Sequence, residues 1–409
     1  MGFAINFRNG VGDCREKAED LFQQPRWRLN IISLSLIGNW PFQKRSERIM
    51  LSALTFFFFG TLLTAQIRKV YFERDNMKVI IDSIAPFIFE GVASSKIFNN
   101  IINIGKMHKM VKHIEKDWEE IEGEERKILI KFANQGHMFN VVYCVWIYGA
   151  MVGFLILPIT PRIIDDLGWA NITDTARFQV PVDYYVDENE NYFYIQLHIF
   201  IAVIFLCIIV VGTDIMFITL VQHACGMFSA ISYTLESLGA DEDANYDLYP
   251  ERSADETFWI VVGCIKKQNS ILQFAEILDS NFCWSFLVIV GLNMTIITFT
   301  GFQMTTKLDS VDEAIRQGIF TIGNLVHLFF ESYISQRLTD HSLCIYEALK
   351  QTRFYNTSIR TRKLLNLMLL KSVIPCTMKA GKLYVMSMEN FSMILRTSMS
   401  YFTILRSFQ

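Results

Sequence analysis

Residues 193–220 read FYIQLHIFIAVIFLCIIVVGTDIMFITL. A helix needs about 20 predominantly apolar residues to cross the hydrocarbon core of a bilayer, and this run exceeds that length. Four other runs read the same way: Ile49 to Ile67, Phe139 to Ile159, Phe282 to Phe302 and Ile315 to Ile334. Two more are broken by polar residues. Val79 to Ile104 carries Asp82, Glu90 and Lys96, and Leu383 to Phe408 repeats small hydroxyl residues. Polar side chains within a span turn to the protein interior or to a wet cavity, so these two segments are the ones expected to line something. The pattern predicts an all-α, polytopic membrane protein with seven transmembrane helices.

Composition agrees. Of 409 residues, 51% are hydrophobic, 19% are charged and 34 are Phe, with a positive mean hydropathy. Soluble domains carry more charge and fewer long apolar runs. The net charge of -3 and the lack of a basic domain exclude nucleic acid as a partner. The first 45 residues are mostly polar and predict no cleavable signal sequence, so the first span is expected to act as its own insertion signal. Eight cysteines form no CxxC pair, and none lies between Pro161 and Asn191. That spacing predicts neither a thiolate metal site nor an outer disulfide. The chain has no GxSxG, HExxH or phosphate-cradling glycine loop, and its histidines are scattered. It predicts no enzyme, no cofactor and no metal.

Charge sets the orientation. Lys44, Arg45 and Arg48 precede the first span, Lys106 to Lys131 is rich in cations, and Arg337 to Lys382 is strongly basic. The loop after the third span is acidic, with Asp165, Asp166, Asp174, Asp183, Asp187 and Glu188, and holds the sequon Asn171-Ile-Thr173. That loop is expected outside, with Asn171 as a glycosylation acceptor. The order follows: a cytoplasmic N-terminal segment (1–48), spans one to four (49–228) with the outer loop 160–192, a cytoplasmic loop and helical extension (229–280), spans five and six (281–336), a cytoplasmic anchor helix (337–381), and the last span (382–409). The N-terminus is then cytoplasmic and the C-terminus extracellular, the reverse of a G-protein-coupled receptor. Phe258, Val261, Val262, Ile265, Ile271 and Phe274 have helical periodicity, and a second amphipathic run at Leu364 to Leu370 follows the basic cluster Arg360 to Lys363. Both suit either a membrane surface or an anchor between subunits.

In the last segment Thr397, Ser400, Ile404 and Ser407 fall three or four apart and share one stripe. Hydroxyls in lipid must meet backbone carbonyls, another helix or water. Helix packing and a water-lined path both fit. A candidate pocket for a small hydrophobic volatile is drawn from the outer halves of the middle spans: Ile84, Phe87, Phe89, Trp146, Tyr148, Gly149, Gly153, Tyr194, His198, Phe299, Phe302 and Phe320, with Glu90 as a candidate rim residue. Aromatic residues also fill ordinary membrane cores. A buried Glu90 needs a partner, for which Lys96 or a cavity water is expected.

The layout and the ending MENFSMILRTSMSYFTILRS together resemble the insect odorant receptor family, over essentially the whole chain. The run SYFTILRS, Ser400 to Ser407, carries the most specific part of that likeness. The resemblance implies an odorant-gated, non-selective cation channel in the plasma membrane of sensory dendrites. In it an odorant-specific subunit joins a shared coreceptor in a tetramer, the last helix lines the pore and cytoplasmic helices anchor the subunits. It places the hydrophobic gate at Ile404. Ser407 stands where the coreceptor has Gln, and the loop after the fourth span is shorter than the coreceptor's. Both point to an odorant-specific subunit. A gustatory receptor channel, a metabotropic receptor of inverted topology and a transporter are the alternatives. The internal repeats or paired broken helices of a transporter are not found in the sequence.

Overall fold

The structure, a computed structural model, describes residues 22–156, 178–188, 190–238, 248–253, 255–306 and 311–407. The sequon residue Asn171 and the Phe302 side chain lie outside the described parts. The helices are α1 (Pro25–Leu36), α2 (Arg45–Phe72), α3 (Met77–Ile102), α4 (Ile104–Glu120), α5 (Gly123–Ile156), α6 (Tyr192–Glu236), α7 (Glu256–Thr306), α8 (Val311–Gln351), α9 (Ile359–Ser372) and α10 (Met388–Ser407). A two-stranded hairpin, β1 (Lys379–Ala380) with β2 (Tyr384–Val385), precedes α10.

Seven of these helices, α2, α3, α5, α6, α7, α8 and α10, contain the predicted spans and form a seven-helix membrane bundle. By length and apolar composition alone four qualify as spans among the described residues: α2, α5, α6 and the Glu256–Gly301 part of α7. The other three carry charges, such as Asp82, Glu90 and Lys96 on α3 and Glu331 on α8, which the bundle interior must accommodate.

At 1.5 Å per residue, the 45 residues of α6 and the 51 of α7 extend about 68 and 77 Å. The hydrocarbon core is about 30 Å thick, so both helices run well past it. The amphipathic run from Phe258 to Phe274 is therefore the first part of α7, continuous with the fifth span rather than a separate helix. In the same way α8 continues past the sixth span to Gln351, and α9 packs on α7 and α8. These extensions, with α4, build a helical anchor at one end of the bundle. The end that carries residues 178–191 is called here the loop end.

Helix α6 is the axis of the fold. It touches α1, α2, α3, α4, α5, α7 and α8, and nearly every residue from Ile209 to Ile231 is buried. Its register against α5 depends on Gly226, where an added Cβ would stand 2.9 Å from Leu129 Cδ1 and 3.2 Å from Phe132 Cβ. A larger residue there must displace the Leu129 tip and crowd Phe132. Helix α1 lies in the segment read as an N-terminal cytoplasmic stretch. It docks on α6 through buried Trp27, Leu34 and Ile37, and Asn30 donates to Thr219 at 3.0 Å. Gly38, at φ +70, turns the chain toward α2 where a Cβ would meet the Arg48 carbonyl at 2.4 Å.

Candidate ligand cavity

In the loop-end half of the bundle α2, α3, α5, α6 and α8 diverge around a cavity of about 120 Å³. Its walls are apolar: Leu62, Phe89, Val92, Met151, Phe154, Leu206 and Ile319 are among the lining residues. Phe320 stands between Phe89 and Phe154, with ring centroids 5.9 and 6.1 Å away, and forms one aromatic wall. Pro86 lies in the lining, inside α3. Having no N–H for the carbonyl one turn back, it interrupts the helix ladder at the cavity wall.

The loop end closes over this space. Gln179 and Val180 contribute to the lining, and Gln179 Nε2 donates to the Leu155 carbonyl at 3.0 Å. The backbone N–H of Asp183 donates to the Ala65 carbonyl at 3.1 Å, and its carboxylate accepts from Arg68 Nε at 3.0 Å. Lys69 pairs with Glu188 at 3.2 Å. His198 is pinned from both sides, with Tyr184 Oη 2.7 Å from Nδ1 and Thr61 Oγ1 2.9 Å from Nε2. The Thr61 hydroxyl donates to the Phe57 carbonyl, which leaves its oxygen to accept from Nε2–H. Burial, then the charge of Glu90, pushes the Tyr184 phenol pKa up, so it remains the donor to Nδ1. His198 is thus a latch between α2, α6 and the loop.

The floor is ionic. His327 lines the cavity, and its Nε2 lies 3.3 Å from both Asp214 Oδ2 and Glu331 Oε1. Beneath it Lys96 Nζ bonds Asp214 and, at 2.8 Å, Glu331, while Tyr143 Oη donates to Asp214 at 2.5 Å. All five side chains are buried. Asp214, His327 and Glu331 are grouped closely enough to ligate a cation. The Lys96 ammonium already sits against both carboxylates and supplies the positive charge a metal would bring. Lys96 is therefore not the partner expected for Glu90. Six residues along a helix amount to about 240° of rotation, so the two side chains leave α3 on different faces.

Of the residues singled out from the sequence, Phe89, Phe320 and Glu90 line the cavity. Gly153 backs it: a Cβ there would lie 3.8 Å from Ile319. Ile84, Phe87, Tyr148 and Phe299 are half-buried outside the lining, and Tyr148 hydrogen-bonds to Ser33 of α1. At Gly149 a Cβ would meet nothing. Trp146 and Tyr194 are exposed, at 42% and 71%. An outward aromatic on a membrane helix meets lipid or the interface, and in sequence it looks the same as an inward one. Missed were the aliphatic wall from α6 and the α8 turn Gly323, Asn324 and His327, which repeat at helical spacing from Phe320.

Helix α10 packs on α7 and α8 through one side only. Ile394 and Ser398 are buried, and Phe391 meets Phe329 with ring centroids 5.9 Å apart. Thr397 is half-buried, while Ser400, Ile404 and Ser407 are exposed. The hydroxyls bond their own helix: Thr397 donates to the Met393 carbonyl at 2.8 Å, Ser400 to Arg396 at 3.0 Å and Ser407 to Ile404 at 2.7 Å. Their protons are satisfied without water, and the oxygens still present lone pairs along the exposed stripe.

A seven-helix bundle around an apolar cavity, with its last helix exposed along a polar stripe, is the build of a membrane receptor. Residues 76–399 match the family model described as 7tm Odorant receptor, and the chain belongs to that family. Curated relatives include Odorant receptor 13a of Drosophila melanogaster, 26% identical over 52% of this chain and 53% of its own length. Odorant receptor Or2 of Anopheles gambiae is 25% identical over 38% of this chain and 40% of its own. The chain spans about half the length, or less, of these relatives. The fold matches the insect olfactory receptor OR5 of Machilis hrabei in its complex with eugenol, at a TM-score of 0.76 and 14% identity, over 94% of this chain and 98% of that one.

Proposed function

We propose that this chain is the odorant-specific subunit of a heteromeric, odorant-gated, non-selective cation channel. It sits in the plasma membrane with its N-terminus cytoplasmic and residues 178–191 outside, and assembles with a coreceptor, as a tetramer by resemblance. The observation that carries the reading is α10, which buries Ile394 and Ser398 against its own chain and leaves Ser400, Ile404 and Ser407 uncovered. In a bundle of copies around an axis that face lines a central path, with Thr397 at its edge. A ring containing Ile404 holds the path dry and shut, and its displacement admits water and cations.

The ligand is a small hydrophobic volatile held in the apolar cavity. Eugenol, bound in the Machilis receptor of the same fold, is a small single-ring phenol of largely hydrocarbon surface. A cavity of about 120 Å³ approaches the engineered pocket of about 150 Å³ that takes benzene, so it suits one ring or a short chain. Occupancy biases gating by its differential affinity for the open and closed packings of the Phe89, Phe154 and Phe320 wall. Lipid surrounds the bundle and delivers the ligand.

The pore assignment is tested by recording from cells that express the chain with a coreceptor. Ile404→Ser is expected to raise the basal, odorant-independent current severalfold and to alter ion selectivity. Basal current and selectivity equal to the native channel would overturn it.

A further inference from the structure

Among the groups lining the cavity, Glu90 is a carboxyl whose chemistry the apolar reading leaves unused. Its side chain is buried, with 3% of the residue exposed, and it carries a carboxylate in a wall of hydrocarbon. Oε1 accepts from Gln66 Nε2 at 2.6 Å, while Oε2 meets no partner. Gln66 lines the same cavity, and because its amide nitrogen faces a carboxylate, its remaining atom is the acceptor Oε1, also without a partner. Two adjacent orphan oxygens therefore belong to one wall. Both residues line one apolar cavity, so a donor that enters it can complete the two oxygens.

The charge points the same way. Asp82 and Glu90 lie in the lining, which among the described residues includes neither lysine nor arginine. Lys96, the nearest cation along α3, is engaged with Asp214 and Glu331. Among the described residues no cation pairs with Glu90. A buried carboxylate without a counter-charge is costly, and either a proton or a bound cation offsets that cost. We infer that the cavity is built for a small apolar primary amine, whose nitrogen donates to Glu90 Oε2 and Gln66 Oε1 while its hydrocarbon fills the Phe89, Met151, Phe154 and Phe320 wall. Primary amines suit both orphans because one nitrogen carries at least two N–H donors. An alcohol offers one donor, and a hydrocarbon none. The inference rests on the ligand-gated reading above and names the ligand class for its cavity.

A matched series tests it: benzylamine, benzyl alcohol and ethylbenzene, which share a ring and one substituent length. Two readouts are taken, half-maximal concentration for current in cells expressing the chain with a coreceptor, and thermal stabilisation of the purified full chain in detergent. Benzylamine is expected to act at a concentration at least ~10-fold below ethylbenzene, with benzyl alcohol between, since hydrogen bonds to buried charged groups contribute that much. Stabilisation by the three compounds follows the same order. Glu90→Met keeps the side-chain length and erases the order. Glu90→Gln keeps volume and the Gln66 contact, and narrows the amine's advantage more than the alcohol's. Equal potency of benzylamine and ethylbenzene in the native chain, or an order that survives Glu90→Met, overturns the inference. Stabilisation in the stated order without current from any volatile upholds the amine site and overturns the channel reading. Currents from other volatiles with no order in the series do the reverse.

Discussion

Glu90 and Lys96 lie six residues apart on the same helix, both buried, and their surroundings are opposite. Around Lys96 the bundle is closed: two carboxylates, a tyrosine hydroxyl and a histidine converge, and Asn100 donates to Thr213 at 2.8 Å one turn further on. Around Glu90 it is open, with a cavity, one amide contact and two oxygens without partners. The ion-paired site ties α3, α5, α6 and α8 into one unit, and the carboxyl without a counter-charge stands in the space where a ligand fits. A membrane bundle that must respond to a small molecule needs both, a fixed point and a place where bonding is incomplete. The cavity floor, at His327, is where they meet.

The largest expected effect comes from breaking the ion-paired side. Lys96→Met leaves Asp214 and Glu331 facing each other in hydrocarbon, and removing one partner of a buried ion cluster costs about 3–5 kcal/mol. Surface expression and thermal stability in detergent should both fall sharply. The triple change Lys96→Met, Asp214→Asn, Glu331→Gln should recover part of the loss, because it removes the uncompensated charges. A single Lys96→Met variant as stable as native would show that the cluster does not hold the floor.

A smaller effect separates the anchor from the cavity. Burial, then the charge of Arg337, pushes the pKa of His341 below its ordinary value, and its Nδ1 sits 3.2 Å from Ser229 Oγ. A histidine held neutral in the fold contributes stability that is present above its unfolded pKa of about 6.5 and is lost as pH falls toward the folded value. The thermal midpoint should therefore drop between about pH 7.5 and 5.5, and His341→Gln should make that drop shallower. An identical slope in the variant would remove His341 from the account.

The legibility of these regions in the sequence follows from what kind of signal each leaves. Spans are long and self-contained, so α2, α5, α6 and α7 are visible as apolar runs. The polar breaks in α3 and α10 fall in segments that carry buried polar groups or an exposed stripe. Continuity is less visible. Nothing in Phe258 to Phe274 distinguishes a separate surface helix from the first turns of a 51-residue one, because both have the same amphipathic period. Helix α1 escaped for a related reason: at 12 residues it is too short to read as a span, and its burial depends on an α6 surface far along the chain. For the cavity, aromatic content pointed to Phe89 and Phe320 and equally to Trp146 and Tyr194, which are exposed. Rotation about the helix axis decides between them, and α3, α5 and α8 acquire it only by packing on α6. Lys96 shows the same limit. Its sequence neighbour was Glu90, but its partners come from residues 118 and 235 positions away.

The central claim is that a volatile entering this cavity opens the channel, and filling the cavity tests it most directly. Gly323 lines the space, and a Cβ added there meets no atom within 4 Å, so a side chain can start from this position without a clash at its root. Currents are to be measured from cells expressing the chain with a coreceptor, native and Gly323→Phe, at matched surface expression. The account predicts that the substitution raises the half-maximal odorant concentration at least ~10-fold, or abolishes the response, since an occupied cavity has no room for ligand. Odorant sensitivity unchanged from native, with the cavity filled, would contradict it.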